Sequence, residues 1–192
     1  MADAYHGSSN GRESKRTIDF IAEAESELRR RIAGEKITVV LLGASGEGLE
    51  ERRTIARDLA GRGIRAVIPE DHFPDDAALS LVERIMFSAD EVDLVFVNVQ
   101  SWGSAAEFTE LSGDEKVVGK LRVLVARQYH PLYGSPPSSR GYLTDAYMTH
   151  EAVFGHVYMC RVTEDEEPRW IPKPGEIAAR LSERYRQWKA LK

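Results

Sequence analysis

The sequence predicts an α/β protein, a three-layer sandwich built on a central, mostly parallel five-stranded sheet of the Rossmann-like or flavodoxin-like kind. Short apolar runs rich in β-branched residues, such as residues 37–42, are typical of strands buried on both faces. Segments with helical apolar spacing separate these runs, and turns rich in Gly, Ser and Asp follow several of them. Strands that alternate with helices in this way form a parallel sheet covered on both faces.

A helix is predicted first, over residues 17–33, where acidic residues come early, arginines come late and Gly34 ends the pattern. The predicted strands are residues 37–42, 64–69, 92–99, 121–126 and 156–162. The predicted helices that follow them are residues 49–60, 77–89, 104–111, 143–152 and 174–189, the last with Pro174 at its start.

Three regions are predicted along the chain. Residues 1–16 are rich in Ser, Gly and charge and lack an apolar segment, which predicts a disordered tail and not a signal peptide. Residues 17–34 form a leading helix, and residues 35–192 form a single α/β domain. Helices at both ends of the chain are compatible with a homo-oligomer.

The composition of the chain limits which binding partners and which cellular compartment are expected. The net charge of −5 gives no basic excess to hold a nucleic-acid backbone, so nucleic-acid binding is disfavoured. No apolar run approaches the roughly 20 residues that a membrane span needs, so no membrane partner is expected. Cys160 is the single cysteine, which rules out an internal disulfide and suits a reducing compartment. We therefore expect a cytoplasmic location.

Ligands of open parallel sheets bind beyond the carboxyl ends of the strands, so the loops there hold the candidate site. The first such loop, residues 43–48, places backbone N–H groups at a helix start, where they can bind a phosphate or a ribose. Its candidate contacts are Gly43, Ser45 and Gly46. Because the spacing is neither Gly-x-Gly-x-x-Gly nor that of a P-loop, a plain tight turn is the alternative.

The second loop, residues 69–76, has four carboxylates and a histidine. We expect Asp71 to hydrogen-bond a base or a sugar hydroxyl. The same groups also suit a metal ion, or a cap on the following helix, and no metal ligand is assigned. His130, just after the fourth strand, is a candidate to hydrogen-bond a phosphate or a leaving group, with an ordinary surface residue as the alternative.

The third loop leads to Glu107, the favoured chemical centre. Ser101, Trp102, Gly103 and Ser104 precede it and are candidate substrate contacts, Trp102 by stacking on a base. A carboxylate in the first turn of the helix can attack the anomeric carbon of a ribosyl group, or stabilise its oxocarbenium character. The alternative is structural, with Ser104 as the N-cap and Glu107 as the glutamate of a capping box.

The strand at residues 93–99 followed by Gly103-Ser104-Ala105-Ala106-Glu107-Phe108 resembles the signature of the nucleoside 2-deoxyribosyltransferase-like superfamily. In that family a strand leads to a Gly-Ser/Thr-x-x-Glu helix start, and the glutamate is the nucleophile. The group is similar to TIR and SLOG-type domains, which cleave or sense NAD-derived nucleotides. The resemblance covers residues 37–127. Where the transferases commonly carry an acidic residue before the glycine, this chain has Gln100, Ser101 and Trp102, which favours a glycosidase or a sensor.

The resemblance implies a hydrolase or transferase that acts on the N-glycosidic bond of a nucleoside, a nucleotide or NAD, with Glu107 as the nucleophile. It implies no cofactor, and NAD would be a substrate or a ligand. The alternative is a non-catalytic nucleotide-binding module that senses such a molecule in stress or antiviral signalling.

Overall fold

The computed structural model describes residues 9–73, 79–134, 141–162 and 168–192, and the side chains of these residues except 9–16, 79–82 and 84. Its five strands form one all-parallel sheet in the order β2-β1-β3-β4-β5, with helices flanking it, which confirms the predicted α/β sandwich. The strands are β1 Thr38–Gly43, β2 Arg65–Val67, β3 Leu94–Val99, β4 Leu121–Ala126 and β5 Val157–Cys160.

The helices follow the predicted alternation, with one addition. They are α1 Ser9–Gly34, α2 Glu47–Gly61, α3 Pro69–His72, α4 Leu79–Ser88, α5 Trp102–Ser112, α6 Tyr142–Phe154 and α7 Pro174–Lys189. Helix α3 is the addition, and it lies inside the loop predicted at residues 69–76. Pro69 occupies its first position, where the fixed φ of proline favours a helix start. Residues 75 and 76, the predicted cap, lie outside the described part of the chain.

The N-terminal boundary differs from the prediction. Helix α1 begins at Ser9, so residues 9–16 of the predicted tail are helical, and residues 1–8 lie outside the described residues. Arg12, Glu13, Lys15 and Arg16 all have high intrinsic helix propensity, which extends the helix towards the N-terminus.

The chain divides into two compact units. One comprises Met1–Glu35 with Tyr185–Lys192, and the other is Lys36–Arg184. The α/β unit is therefore shorter than the predicted domain, residues 35–192, by one residue at its start and eight at its end. Among the described residues, no helix is both long and apolar enough to cross a bilayer.

The core of the α/β unit fixes the position of α5. All six residues of β3 are buried, and Val95, Val97 and Val99 belong to a cluster that includes Phe108 and Leu111 of α5 and Tyr147 of α6. The rings of Phe108 and Tyr147 lie 5.0 Å apart. Because Phe108 is fully buried, the backbone of α5 is anchored next to Glu107.

Candidate functional site

The strand order changes direction between β1 and β3, because β2 lies on one side of β1 and all later strands lie on the other. Clefts for ligands form at such a switch point, at the carboxyl ends of the strands. Gly43, the last residue of β1, is paired with Asn98 of β3. A Cβ at position 43 would lie 3.2 Å from the carbonyl oxygen of Asn98, so the close approach of the two strands favours glycine there.

The start of α5 is built by two serines. Ser101 is the N-cap, and its Oγ accepts a hydrogen bond from the amide of Ser104 at 3.2 Å. The Oγ of Ser104 accepts hydrogen bonds from the amides of Gln100 and Ser101 at 3.1 and 3.0 Å. Both hydroxyls are therefore engaged with the backbone at the helix start, and Ser104, at 1% exposed, is no longer accessible as a substrate contact.

This arrangement overturns the predicted capping role of Glu107. The helix begins at Trp102, and the capping box joins Ser101 to Ser104. Glu107 therefore lies in the second turn, one turn beyond the cap. The sequence pattern was misleading because Ser101 and Ser104 both precede the run of small residues, and either can accept from an amide three residues later.

Glu107 is half-buried, and its Oε2 is shielded from solvent with no hydrogen-bond partner in the described residues. The pKa of its carboxyl is raised to about 7, first by burial and then by the negative charge of Glu83, while the guanidinium of Arg52 acts in the opposite direction. A carboxyl with a pKa near neutrality, with no structural bond at that oxygen, has the properties of a functional group and not of a helix cap.

Arg52 of α2 is the cation of this region, and it is 3% exposed. Its two terminal nitrogens donate to the carboxylate of Glu70 on α3 at 2.8 and 2.7 Å, and Nη2 also donates to the carbonyl of Ala44 at 2.9 Å. Burial raises the pKa of Glu70, but the hydrogen bonds from Arg52 and its charge outweigh burial, so the net pKa is lowered. Glu70 is therefore held as a carboxylate.

Glu83 of α4 completes the charged group. Its pKa is raised, first by burial and then by the negative charges of Glu70 and Glu110. The charge of Arg52 thus acts on the carboxyls of Glu70, Glu83 and Glu107, and these four side chains together are net negative when all of them are ionised. Such a group repels phosphate and attracts a neutral or positively charged ligand.

A second polar contact lies at the end of β3. The side-chain amide of Asn98 donates to Oε2 of Glu51 on α2 at 3.2 Å. Burial raises the pKa of Glu51, while the positive charge of Lys173 and hydrogen bonds with Asn98 and Gln100 act against it. The carboxyl ends of β1 and β3 are therefore bordered by acidic side chains from α2 as well as by α5.

The predicted anion-binding turn at residues 43–48 is formed as a βα turn. Gly46 is the N-cap of α2 in a left-handed conformation with φ of 62°, and no side chain caps this helix. Ser45 and Gly46 are exposed. Glu47 and Glu50 occupy the first turn of α2, where their charges disfavour a phosphate while suiting the helix dipole.

Asp71 is engaged elsewhere. Its carboxylate accepts from Nε and Nη2 of Arg53, and this pairing, on an exposed part of the surface, lowers its pKa. It lines a groove of about 520 Å³ together with Glu50, Arg53, Ala56, Arg57, Ala66, Ile68 and His72. Within α3, it is the negative charge of Glu70, one position earlier, that raises the pKa of Glu107. The contacts of Asp71 therefore do not support its predicted role at this site.

His130 has a structural position. It is 5% exposed, its Nδ1 accepts from the amide of Leu132 at 3.2 Å, and its Nε2 donates to the carbonyl of Val157 at 3.0 Å. Val157 belongs to β5, the edge strand, and its amide donates to Glu151 at 2.9 Å. The side chains of His130 and Glu151 thus satisfy the carbonyl and the amide of Val157 in the edge strand. Both ring nitrogens of His130 are used, which removes the predicted contact to a ligand.

Trp102 and Gly103 lie at the exposed start of α5. Trp102 is 91% exposed, so its ring is accessible for stacking. The sequence-predicted residues that the structure brings to the carboxyl ends of β1 and β3 are Gly43, Ser45, Gly46, Ser101, Trp102, Gly103, Ser104 and Glu107.

Three members of the charged group around Glu107 were not predicted from the sequence: Arg52, Glu70 and Glu83. A signal for Arg52 exists, because it precedes buried Ile55 and Leu59 by three and seven residues and so lies on the buried face of α2. Glu83 likewise precedes buried Phe87 by four residues. A charged residue on the apolar face of an amphipathic helix is the pattern that would have identified both.

In the part of the chain that the structure describes, no cluster of three or more His, Cys, Asp or Glu side chains is arranged to hold a metal ion. Comparison of the chain with protein-family models and with curated protein sequences gives no match.

Proposed function

We propose that this protein cleaves the N-glycosidic bond of a nucleoside, or of a nucleotide or NAD whose phosphates are held away from the acidic group, and that Glu107 is its catalytic carboxylate. The observation that carries the proposal is the state of Glu107. Its carboxyl is half-buried beside the switch point of the sheet, its Oε2 has no described hydrogen-bond partner, and burial raises its pKa to about 7.

The charge of the surrounding groups favours a substrate with a positive or neutral glycosidic centre. An oxocarbenium-like transition state develops positive charge at the anomeric carbon, and a carboxylate in a poorly hydrated site stabilises that charge. Glu83 and Glu107 share one region with Arg52, whose charge is already balanced by Glu70. Binding of a cationic ribosyl centre would lower the pKa of Glu107 and convert it to the ionised form that acts as nucleophile or stabiliser.

Other polar groups at the site suit recognition. Trp102 offers an exposed ring for stacking on a base, and Gly103 leaves the start of α5 open to close approach. The acidic first turn of α2 favours a sugar hydroxyl over a phosphate at the turn formed by residues 43–48. We propose the cytosol as the location, because a chain with a single cysteine cannot form an internal disulfide, which suits a reducing compartment.

The test is product analysis with a matched control. Wild-type protein, Glu107→Gln and Glu110→Gln are incubated with NAD and with purine and pyrimidine nucleosides, with and without a free acceptor base, and released bases are measured by mass spectrometry. Glu110 is exposed and lies on the same helix three residues later. We expect Glu107→Gln to lose roughly 10³-fold in rate and Glu110→Gln to retain activity. Equal release by Glu107→Gln, or no release by wild type, rejects the proposal.

A nucleotide-sensing module is the second candidate. At a pKa of about 7, half of the Glu107 carboxyls carry a proton at neutral pH, and a protonated carboxyl can donate a hydrogen bond to a ligand without turnover. A sensor is expected to show ligand-dependent shifts in melting temperature that Glu107→Gln retains, with no base released by either protein.

A further inference from the structure

Helix α1 presents an apolar surface to solvent. From Thr17 to Arg31 every side chain except that of Glu27 is exposed. The exposed side chains include large apolar ones, with Ile18 at 62%, Phe20 at 71%, Ile21 at 51% and Leu28 at 37%. A helix with this much exposed apolar surface gains stability from a partner that covers it, since helices in water owe most of their stability to packing.

The apolar side chains follow coiled-coil spacing. Five positions recur at alternating intervals of three and four residues, which is the spacing of a coiled coil. Four of them are apolar, Ile18, Ile21, Leu28 and Ile32, and the fifth is Glu25. These five positions define the stripe of α1. A helix of 26 residues is about 39 Å long, which is enough for several layers of side-chain packing along the stripe.

Charge is segregated within residues 17–31 of the same helix, which follow a segment that contains Arg12, Glu13, Lys15 and Arg16. Asp19 and Glu23 lie in the segment of residues 17–24, which contains no cation, and neither has an ion-pair partner among the described side chains. Residues 29–31 are three arginines that share two carboxylates, those of Glu25 and Glu27. Three cations against two carboxylates leave this end of the helix with a surplus of one positive charge.

We propose that α1 pairs with α1 of a second copy of this chain in an antiparallel orientation, through the stripe. Antiparallel pairing through the stripe, which is centred on Glu25, sets Asp19 of one copy beside Arg31 of the other, twice, about a two-fold axis. A parallel pair in register would set Asp19 and Glu23 against their own copies and the arginines against theirs. The charge pattern therefore favours α1 of a second copy as the partner and an antiparallel direction of pairing.

The first test is the mass of the full-length protein in solution. Sedimentation velocity between about 1 and 100 µM is expected to show a species of twice the 21.5 kDa chain mass. Ile18→Asp/Ile21→Asp should weaken association at least tenfold, whereas Ser26→Asp, an exposed position outside the stripe, should not. Circular dichroism of each variant establishes that the helix is retained. A monomer over the whole concentration range, or equal association of both variants, overturns the proposal.

The second test does not alter the stripe and so remains valid if the aspartates unfold α1. Asp19→Lys/Glu23→Lys and Arg30→Glu/Arg31→Glu should each weaken self-association, and a mixture of the two should restore a dimer. High salt should reduce all of these differences. In a parallel pair, Asp19→Lys/Glu23→Lys would replace a contact between two negative charges by a contact between two positive charges, and association would stay unchanged. Unchanged association of this variant would therefore contradict the antiparallel arrangement.

Discussion

Arg52 and Glu70 form a two-pronged ion pair in which Nη1 lies 2.8 Å from Oε2 and Nη2 lies 2.7 Å from Oε1. The pair joins α2 to α3, and Arg52 also binds the carbonyl of Ala44 just after β1. Because Arg52 is 3% exposed, its charge depends on Glu70 for compensation, and Glu70 in turn is kept ionised beside Glu107. The carboxyl end of β1 is therefore built around one buried cation.

Removal of this cation should be costly. Arg52→Met removes a buried guanidinium together with its charge-assisted hydrogen bonds to Glu70, which is itself exposed, and should cost about 2 kcal/mol. It also removes a positive charge that lowers the pKa of Glu107, so that pKa should rise above 7. Urea unfolding at pH 7 measures the loss, with the exposed Arg57→Met on the same helix as the control. If the two variants are equally stable, the pair does not organise the site.

Glu107→Gln should stabilise the protein at alkaline pH. The folded pKa of about 7 lies above the pKa of 4.5 that a glutamate has in an unfolded chain, so the contribution of this group is fully present below pH 4.5 and is lost as pH rises through 7. Allowing for screening by water, the variant should gain about 1–2 kcal/mol at pH 8. Melting temperatures at pH 5 and pH 8 measure the gain, and Glu110→Gln should show no such difference between the two values.

The pKa of Glu107 should respond to Glu83. Glu83→Gln removes a negative charge that raises this pKa, so the pKa should fall below 7. Carbon-13 NMR of the glutamate carboxyls, assigned with Glu107→Gln, follows the titration directly. If the protein releases a base, the rise of kcat/KM with pH should shift to lower pH in the same variant, because the ionised form of Glu107 is the active one. An unshifted titration would mean that the two carboxyls do not interact.

His150 should make the protein sensitive to acid. It is 2% exposed, lies edge-on to Phe108 with ring centroids 5.8 Å apart, and burial lowers its pKa to about 4 from 6.5. Since the unfolded chain binds the proton more readily, stability falls as pH drops from 6.5 towards 4, by about 2 kcal/mol at pH 5. His150→Phe should lose this dependence, and urea midpoints at pH 7 and pH 5 report it. The exposed His72→Phe should retain the full dependence of the wild type.

The two serines at the start of α5 should differ in importance. Ser101→Ala removes one N-cap acceptor and should cost about 1 kcal/mol. Ser104→Ala should cost more, about 1–3 kcal/mol, because two amides lose their acceptor in a buried position. Thermal unfolding ranks the two, and Ser101→Asp, which preserves the cap, should be close to wild type. The reverse ranking would contradict the assigned cap.

The resemblance in sequence made Glu107 the candidate catalytic residue, which stays a prediction, and the local pattern around it predicted a cap that the structure does not have. Ser-x-x-Glu predicted a capping box that starts at Ser104, whereas the helix begins at Trp102 and Ser101 caps it. Local rules tolerate both starts, and the packing of Phe108 and Leu111 against β3 favours one of them. Asp71 and His130 were equally reasonable as polar loop residues, but Arg53 and the edge strand β5 engage them.

The sequence by itself determined the alternation of strands and helices, the parallel sheet and the bounds of β4 and α7, because apolar periodicity and the position of Pro174 are local properties. Only the tertiary structure decided which charges surround Glu107. Arg52, Glu70 and Glu83 come from three different helices, and their effect on one carboxyl depends on distance and burial, which no spacing along the chain encodes. The strand order that creates the switch point was likewise decided by packing of the whole sheet.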